Sequence, residues 1–219
     1  MLLCLAAAPP PATAGEVEWK LLYEQAELHF HRGNLEQAEL FAREALREAD
    51  STLGENHRAT GLSLAQAALY VRLRGKPEEA LEFAQRAVKL AARRHGPDHG
   101  NTGIALQSEA EVLFALKRFG EAEKLHRRAL AIFEKRHGQK SFQAATGLHN
   151  IGTMLLAQDR YAEAEKFLRR ALSLKEQVLG PEHLSVAHTL NNLALALDAQ
   201  GNLEEAARHR KRLAAFKTQ

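Results

Sequence analysis

The sequence predicts an all-α protein, a right-handed solenoid of five stacked helix pairs that forms one continuous domain. Small residues return every 42 positions, at two places in each copy, and a fixed period of this length is the signature of a repeat architecture. Within each copy the apolar residues recur at the 3.6-residue spacing of a helix. A glycine stands between successive copies, where a helix has to end. The paired small residues are Ala26 and Ala38, Ala68 and Ala80, Ala110 and Ala122, Gly152 and Ala164, and Ala194 and Ala206.

Each copy is predicted to hold two antiparallel helices joined by a short turn. In the fourth copy, the first helix is expected near Phe142 to Gln158 and the second near Tyr161 to Leu179. The small residues let the two helices approach closely, and stacking of neighbouring copies buries apolar faces that a single pair leaves exposed. The turn positions are Gly33, Gly75, Lys117, Asp159 and Gly201, and the glycines between copies are Gly54, Gly96, Gly138 and Gly180.

Residues 1–15 form a leader outside the repeats. The leader is apolar, then proline-rich, and it ends in Ala12, Thr13 and Ala14 before Gly15, which resembles the small-residue cleavage site of a secretory signal. The positive segment that usually precedes the apolar run is missing. Two interpretations stay open: a truncated signal peptide of a periplasmic or secreted protein, or a leader without a targeting role in a cytoplasmic one. The repeats are expected at about 16–57, 58–99, 100–141, 142–183 and 184–219.

Composition narrows the class of protein. Of the 219 residues, 45% are hydrophobic and 6% are aromatic, and the net charge of +3 is close to balance. Cys4 is the sole cysteine, so no internal disulfide can form, and no apolar stretch approaches the roughly 20 residues that span a bilayer as a helix. The basic run from Arg208 to Arg212 lacks the aromatic residues that stack on bases. We therefore expect no nucleic-acid partner and interpret the run as the polar cap of a solenoid.

No catalytic motif is present in the sequence. It lacks a phosphate-binding glycine loop, a Gly-x-Ser-x-Gly elbow and a His-Glu-x-x-His pair, so we expect neither enzymatic activity nor a cofactor. His95 and His99 are four residues apart, but a glycine and a proline separate them, and no metal site is expected there. His57, His99 and His183 hold the same place in their copies, just before a first helix. This repetition favours a structural role such as capping.

The stretch from Ala171 to Ala206, ALSLKEQVLGPEHLSVAHTLNNLALALDAQGNLEEA, resembles the tetratricopeptide repeat in the 42-residue form found in kinesin light chains. The resemblance covers Glu16 to about Phe216. It implies a stack of helix pairs and a non-catalytic scaffold that binds other proteins. Its motifs specify the fold far more narrowly than the function, because the family serves many unrelated pathways.

Asn150 and Asn192 hold the same place in successive first helices, near the predicted lining of the concave surface. Asparagine carries a donor and an acceptor, so it can hold the backbone of an extended peptide. In kinesin-light-chain-like repeats the matching asparagines line the cargo groove, and the resemblance transfers that role to Asn150 and Asn192 and more loosely to Ser108 and Gln66. A second interpretation stays open, in which these residues bridge adjacent first helices. Further residues expected on the concave face are Tyr23, Glu27, Gln107, Glu111, Phe114, Thr146, His149, Thr153, His188 and Asn191.

The sequence therefore predicts a module that holds a peptide or protein segment in its concave groove, with polar side chains bonding the backbone of the segment. Two alternatives stay open. The protein could be an accessory or regulatory subunit that docks through its convex face or its terminal helix. It could also be a structural homo-oligomer that stacks end to end through its first and fifth copies.

Overall fold

The computed structural model describes residues 13–216, which fold into ten α-helices and one π-helical turn. The helices alternate as first and second members of five pairs, and the predicted all-α solenoid is confirmed. The first helices are α1 Ala14–His31, α3 Arg58–Leu73, α5 Gly100–Ala115, α7 Phe142–Leu156 and α9 Leu184–Ala199. The second helices are α2 Leu35–Glu48, which continues into the π-helical turn Ala49–Leu53, and then α4 Pro77–His95, α6 Phe119–His137, α8 Tyr161–Leu179 and α10 Leu203–Ala215.

The backbone confirms the predicted turns within and between the pairs. All seven predicted turn glycines have a positive φ, and Lys117 and Asp159 adopt the same left-handed conformation at φ 59° and 57°. The helix α7 ends at Leu156, two residues before the predicted Gln158. It ends there because the N–H groups of Asp159 and the next residue return to the carbonyls of Leu156 and Leu155, at 3.0 and 2.9 Å. These bonds close the helix.

Histidine side chains cap three of the first helices. In His57, His99 and His183, Nδ1 accepts a hydrogen bond from the backbone N–H two residues later, at 3.2, 3.2 and 3.1 Å. Ser141 holds the same place before α7 and caps that helix with its hydroxyl oxygen. An acceptor at this position satisfies one of the free N–H groups at the start of a helix. The predicted structural role of the repeated histidines is therefore confirmed.

The core is a seam of alanine and leucine that runs the length of the stack. All ten paired small residues are buried. Side-chain sizes compensate across the seam, as Gly152 of α7 and Leu168 of α8 show. A Cβ atom built on Gly152 would lie 2.6 Å from Leu168 Cγ. At the corresponding places of the second pair, Ala68 packs with Ala84 in one cluster. The two helices of a pair can therefore approach closely only when the combined volume of the two facing side chains fits between them.

The first repeat was expected to begin at Glu16, but the helix α1 begins two residues earlier, at Ala14. Its N-cap is Thr13, whose hydroxyl oxygen accepts the Glu16 N–H at 3.2 Å, while the Glu16 carboxylate accepts the Thr13 N–H at 2.9 Å. This reciprocal arrangement is a capping box. Gly15 packs against the π-helical turn, where a Cβ atom would lie 2.7 Å from Thr52 Oγ1. Most of the signal-like leader, residues 1–12, lies outside the described residues.

Candidate peptide-binding groove

The first helices of the first three pairs line a pocket that contains several of the predicted groove residues. Its volume is about 320 Å³, and α1, α3 and α5 all contribute side chains to it. Gln66 ties two of these helices together, because its Nε2 donates a hydrogen bond to the backbone carbonyl of Tyr23 at 3.3 Å. The predicted groove residues that line this pocket are Tyr23, Glu27, Gln66, Ser108 and Glu111.

An ion pair spans this pocket. Arg72 Nη2 of α3 lies 3.0 Å from Glu111 Oε2 of α5. Solvent reaches 48% of the Glu111 side chain. The walls of the pocket nevertheless surround its carboxyl with protein, and this loss of solvation raises the pKa of Glu111, while Arg72 opposes the rise. Burial likewise raises the pKa of Tyr23, and the Glu27 carboxylate adds to this effect. The pocket thus presents a cation, a carboxyl and a phenol hydroxyl to a ligand.

A second and more apolar pocket opens between α3, α4 and α5, with a volume of about 490 Å³. Leu62 and Ala65 line both pockets, so the two form one trough. Arg58 and Arg94 contribute positive charge to the lining, and no Asp or Glu lines it within the described part of the chain. This pocket is therefore apolar and bordered by cations. The apolar remainder of its lining is Gly61, Ala68, Ala84, Ala87, Leu90, Ala91, Ile104 and Ala105.

This apolar pocket was not predicted from the sequence. Leu62 and Ile104 hold the same place in α3 and α5 as Thr146 in α7 and His188 in α9, two residues that were predicted in the groove. Only the polar residues at this register were predicted, because hydrogen-bonding groups mark a peptide site most clearly in a sequence. Ile104 is 56% exposed. A large aliphatic residue at a groove register was the signal that could have revealed the pocket.

Asn192 and Thr153 meet between α7 and α9. Asn192 Nδ2 donates a hydrogen bond to Thr153 Oγ1 at 2.9 Å, and the Thr153 hydroxyl donates to the backbone carbonyl of His149 at 3.0 Å. Asn192 thus bridges adjacent first helices, as the second interpretation of the asparagines has it. By contrast, no hydrogen bond engages the half-buried side chain of Asn150 within residues 13–216. The Asn150 amide is therefore available to a ligand.

A buried lysine stands behind this part of the groove. Lys175 of α8 is 2% exposed, and its Nζ donates to Thr189 Oγ1 at 2.9 Å and to the Ser185 carbonyl at 3.2 Å. Thr189 Oγ1 lies 3.1 Å from His149 Nδ1. Burial lowers the pKa of Lys175 to about 8, and burial followed by the Lys175 charge lowers the pKa of His149 to about 3. His149 is therefore neutral at pH 7. Lys175 lies at the register where α6 has the buried Phe133, and it was not predicted from the sequence.

The other predicted groove residues are more dispersed. His188 and Asn191 are exposed on α9. The Thr146 hydroxyl donates at 3.0 Å to a carbonyl four residues earlier in its own helix. Gln107 has a buried Nε2 with no hydrogen-bond partner in the described chain. Phe114, which was expected on the concave face, lies 5.4 Å from a phenylalanine ring of α6 and packs against the core.

The basic run in α10 is largely paired with carboxylates. Arg210 contacts Asp198 of α9, Arg212 contacts Glu176 of α8, and Arg208 pairs with a glutamate of its own helix. The pairs of Arg210 and Arg212 connect α10 to α9 and α8. The run therefore joins α10 to the stack, in keeping with its interpretation as a polar cap.

Two further kinds of feature are absent from residues 13–216. None of the described helices is long and apolar enough to cross a membrane. Nor does this part of the chain bring together three or more His, Cys, Asp or Glu side chains that could hold a metal ion.

Comparison with known proteins bears directly on this arrangement of helices. The family model of the tetratricopeptide repeat matches residues 19–93, 66–135 and 143–219. The chain belongs to the tetratricopeptide repeat family. Proteins of this family generally mediate protein–protein interactions and are typically non-catalytic scaffolds. The resemblance inferred from the sequence is therefore confirmed. No curated protein sequence matches the chain.

Solved structures of tetratricopeptide repeat proteins superpose on most of the chain. Nearly identical TPR-like repeats assigned to a kinesin light chain of Podosopora anserina are 20% identical, with 91% of this chain and 95% of that one covered and a TM-score of 0.76. BtubC (BKLC) from P. vanneervenii is 20% identical, with coverages of 94% and 92% and a TM-score of 0.73. The apo form of RapI is 18% identical, with coverages of 91% and 70% and a TM-score of 0.76. At these identities the likeness shows a shared fold alone.

Proposed function

We propose that this tetratricopeptide repeat protein binds an extended segment of a partner protein in its concave groove and catalyses no reaction. The observation that carries the proposal is the trough formed by the two joined pockets, of about 320 and 490 Å³. Pockets of this size accept large side chains of a ligand. Because rigid helices form the trough before any partner arrives, little of the binding free energy is lost to ordering the site.

The apolar pocket favours a particular kind of side chain in the partner. A leucine, methionine or aromatic side chain would leave water for the surface of Leu62, Ala65 and Ile104, which contributes about 25 cal/mol per Å² of apolar area. Arg58 and Arg94 are the charged groups of the lining, so a carboxylate near that side chain adds electrostatic complementarity. The segment we propose therefore carries a large apolar residue close to an acidic one.

The two asparagines have different roles in this proposal. Asn150 is free of hydrogen bonds within the described chain, so its amide can donate to and accept from the backbone of the segment. Asn192 already donates to Thr153, so it holds the wall of the groove in place. His149, kept neutral by its burial, adds no charge at this end.

A pull-down from the native organism tests the proposal. The baits are the wild-type protein, Asn150→Ala and Asn34→Ala, and captured proteins are identified by mass spectrometry. Asn34 is exposed between α1 and α2 and makes no side-chain capping bond, so its variant is the matched control. We expect a partner that binds the wild-type protein and Asn34→Ala equally well. It should bind Asn150→Ala about tenfold more weakly, which corresponds to a loss of about 1.4 kcal/mol of binding free energy. A partner retained equally by all three baits would remove Asn150 from the binding surface.

A further inference from the structure

The helix α1 has an apolar face that no other described helix covers. Leu21 is 52% exposed and Leu28 is 38% exposed, and Val17 is exposed one turn before Leu21 on the same face. In the later first helices, the residues at the register of Leu28 are all buried. The face that α1 leaves open is thus the one that each later first helix packs inside the stack. The buried counterparts of Leu28 are Tyr70, Val112, Met154 and Ala196.

Contacts inside the stack show what normally covers this face. Gly147 holds the Leu21 register in α7, and a Cβ atom built on it would lie 3.2 Å from Leu130 Cδ1 of α6. Thr189 holds the same register in α9, and its hydroxyl oxygen accepts a hydrogen bond from Lys175 of α8 at 2.9 Å. In both cases the neighbour is the second helix of the preceding pair. The uncovered face of α1 therefore has the register of a surface that receives a second helix.

The second helix α10 has an uncovered outer face at the other end of the described array. Ala214 holds the register of Leu130 and is exposed, and Leu203 and Arg210 are exposed on the same side. Within the stack, the small Gly147 faces the large Leu130. Between two copies of the chain, the large Leu21 would face the small Ala214. In the contact between copies the large residue lies on the first helix and the small one on the second, the reverse of the contact inside the stack. The combined side-chain volume of the two residues is similar in both contacts, as close packing requires.

We propose that the chain associates head to tail with a second copy of itself, with α10 of one copy packed against α1 of the next. Charge favours the same contact, because α1 has four glutamates against one lysine, and Lys211 of α10 lies outside the ion pairs that hold the three arginines of its run. A contact between two unlike faces does not close on itself, so it builds chains of copies. The concave groove stays open in this arrangement, and the inference does not depend on the proposed function.

Sedimentation equilibrium over a range of protein concentrations tests this inference. We expect the average mass of the wild-type protein to rise beyond that of a dimer, and to fall when salt screens the charges. Leu21→Glu and Ala214→Glu each abolish the rise, because they place a charge in one of the two faces. Both residues are exposed in the monomer, and circular dichroism checks that helicity is unchanged. Leu40→Glu is the matched control, since Leu40 is 44% exposed on α2 outside both faces, and it associates like the wild type.

A mixture of the two variants separates a head-to-tail contact from other contacts. Leu21→Glu keeps an intact α10 face and Ala214→Glu keeps an intact α1 face, so an equal mixture forms dimers and nothing larger. A wild-type protein that is monomeric at every concentration overturns the inference. So does a mass that stops at a dimer and is insensitive to Ala214→Glu, which indicates an α1–α1 contact. Self-association of a chain that starts at Thr13, with the full chain monomeric, also overturns it, since residues 1–12 then cover α1.

Discussion

Gly152 shows how single residues are fitted to one another across a helix pair. Gly152→Ala is expected to lower the free energy of unfolding by about 1–3 kcal/mol, the usual range for overpacking. The physical reason is the fully buried Leu168, whose Cγ would lie 2.6 Å from the new Cβ. Urea denaturation measures the change. In a Leu168→Ala background the same substitution should cost much less, because Ala68 and Ala84 already pack in this way in the second pair. Equal costs in both backgrounds would contradict this account.

Lys175 is a residue whose charge opposes folding at neutral pH. Burial lowers its pKa from the ordinary value of 10.5 to about 8. Below pH 8, both the folded and the unfolded state hold the proton, and the folded state bears the cost of a buried charge. This cost is about 3 kcal/mol, at about 1.4 kcal/mol for each pKa unit. As the pH rises from about 8 to 10.5, the folded state releases its proton first, and stability rises.

Lys175→Met is therefore expected to raise the free energy of unfolding at pH 7 by up to about 3 kcal/mol. The gain should shrink as the pH rises from about 8 towards 10.5, because the wild-type lysine is then neutral in the folded state and no buried charge opposes folding. Thr189 still donates to the Ser185 carbonyl at 3.0 Å, so its hydroxyl keeps a partner in the variant. Urea denaturation of both proteins at pH 7 and pH 10 measures the difference. A gain of equal size at the two pH values would be evidence against a buried ammonium.

Predictability from the sequence differs among these residues for a physical reason. The small residues of the seam and the capping histidines could be predicted, because the same local requirement returns in every copy. A bridging role for Asn192 could be predicted only as one of two alternatives, and its partner Thr153 could not be predicted, because the two residues are 39 apart and meet only when successive pairs stack. Lys175 was missed because a lysine is ordinarily exposed, and nothing local shows that its neighbours bury it.

At the level of the helix, the turn within the third pair holds a strained residue. Lys117 has φ 59°, at the place where the first, second and fifth pairs have glycine. The left-handed conformation costs a non-glycine residue about 1 kcal/mol, and the greater chain entropy of glycine offsets part of this. Lys117→Gly is therefore expected to stabilise the protein by about 0.5 kcal/mol. Lys140→Gly, in an exposed turn without a positive φ, is the control and should destabilise it slightly. Thermal unfolding that ranks the two variants in the opposite order would contradict the account.

Helix positions could be predicted from the sequence more fully than the details of helix ends. Glycines, caps and the apolar period mark where each helix starts and stops. The π-helical turn Ala49–Leu53 carries no such mark. Within it, the Thr52 hydroxyl donates to the Glu48 carbonyl at 2.7 Å, a bond of the kind that competes with regular helix geometry. The apolar pocket had one mark, the aliphatic Leu62 and Ile104 at a groove register, but its extent could not be predicted because its walls come from three helices.

For the whole molecule, a stack of pairs predicts that stability varies along the chain. The helix α7 packs against α6, α8 and α9, whereas α10 packs on α9 at the end of the described array. We expect amide hydrogens of α10 to exchange about ten to a hundred times faster than those of α7, because each repeat is stabilised by its neighbours. Hydrogen–deuterium exchange on dilute, monomeric protein measures this. Equal protection in both helices would indicate a single cooperative unit.

The affinity of the partner segment for Ala65→Trp tests whether the segment binds in the concave groove. Ala65 is exposed and lines both pockets, so a tryptophan there fills the trough. Ala131→Trp is the matched control, because Ala131 is exposed on α6 outside the groove. Isothermal titration with the captured segment should give a Kd at least about 100-fold higher for Ala65→Trp, a loss of about 2.7 kcal/mol, and an unchanged Kd for Ala131→Trp. Equal affinity of the wild type and Ala65→Trp would contradict a binding site in the concave groove.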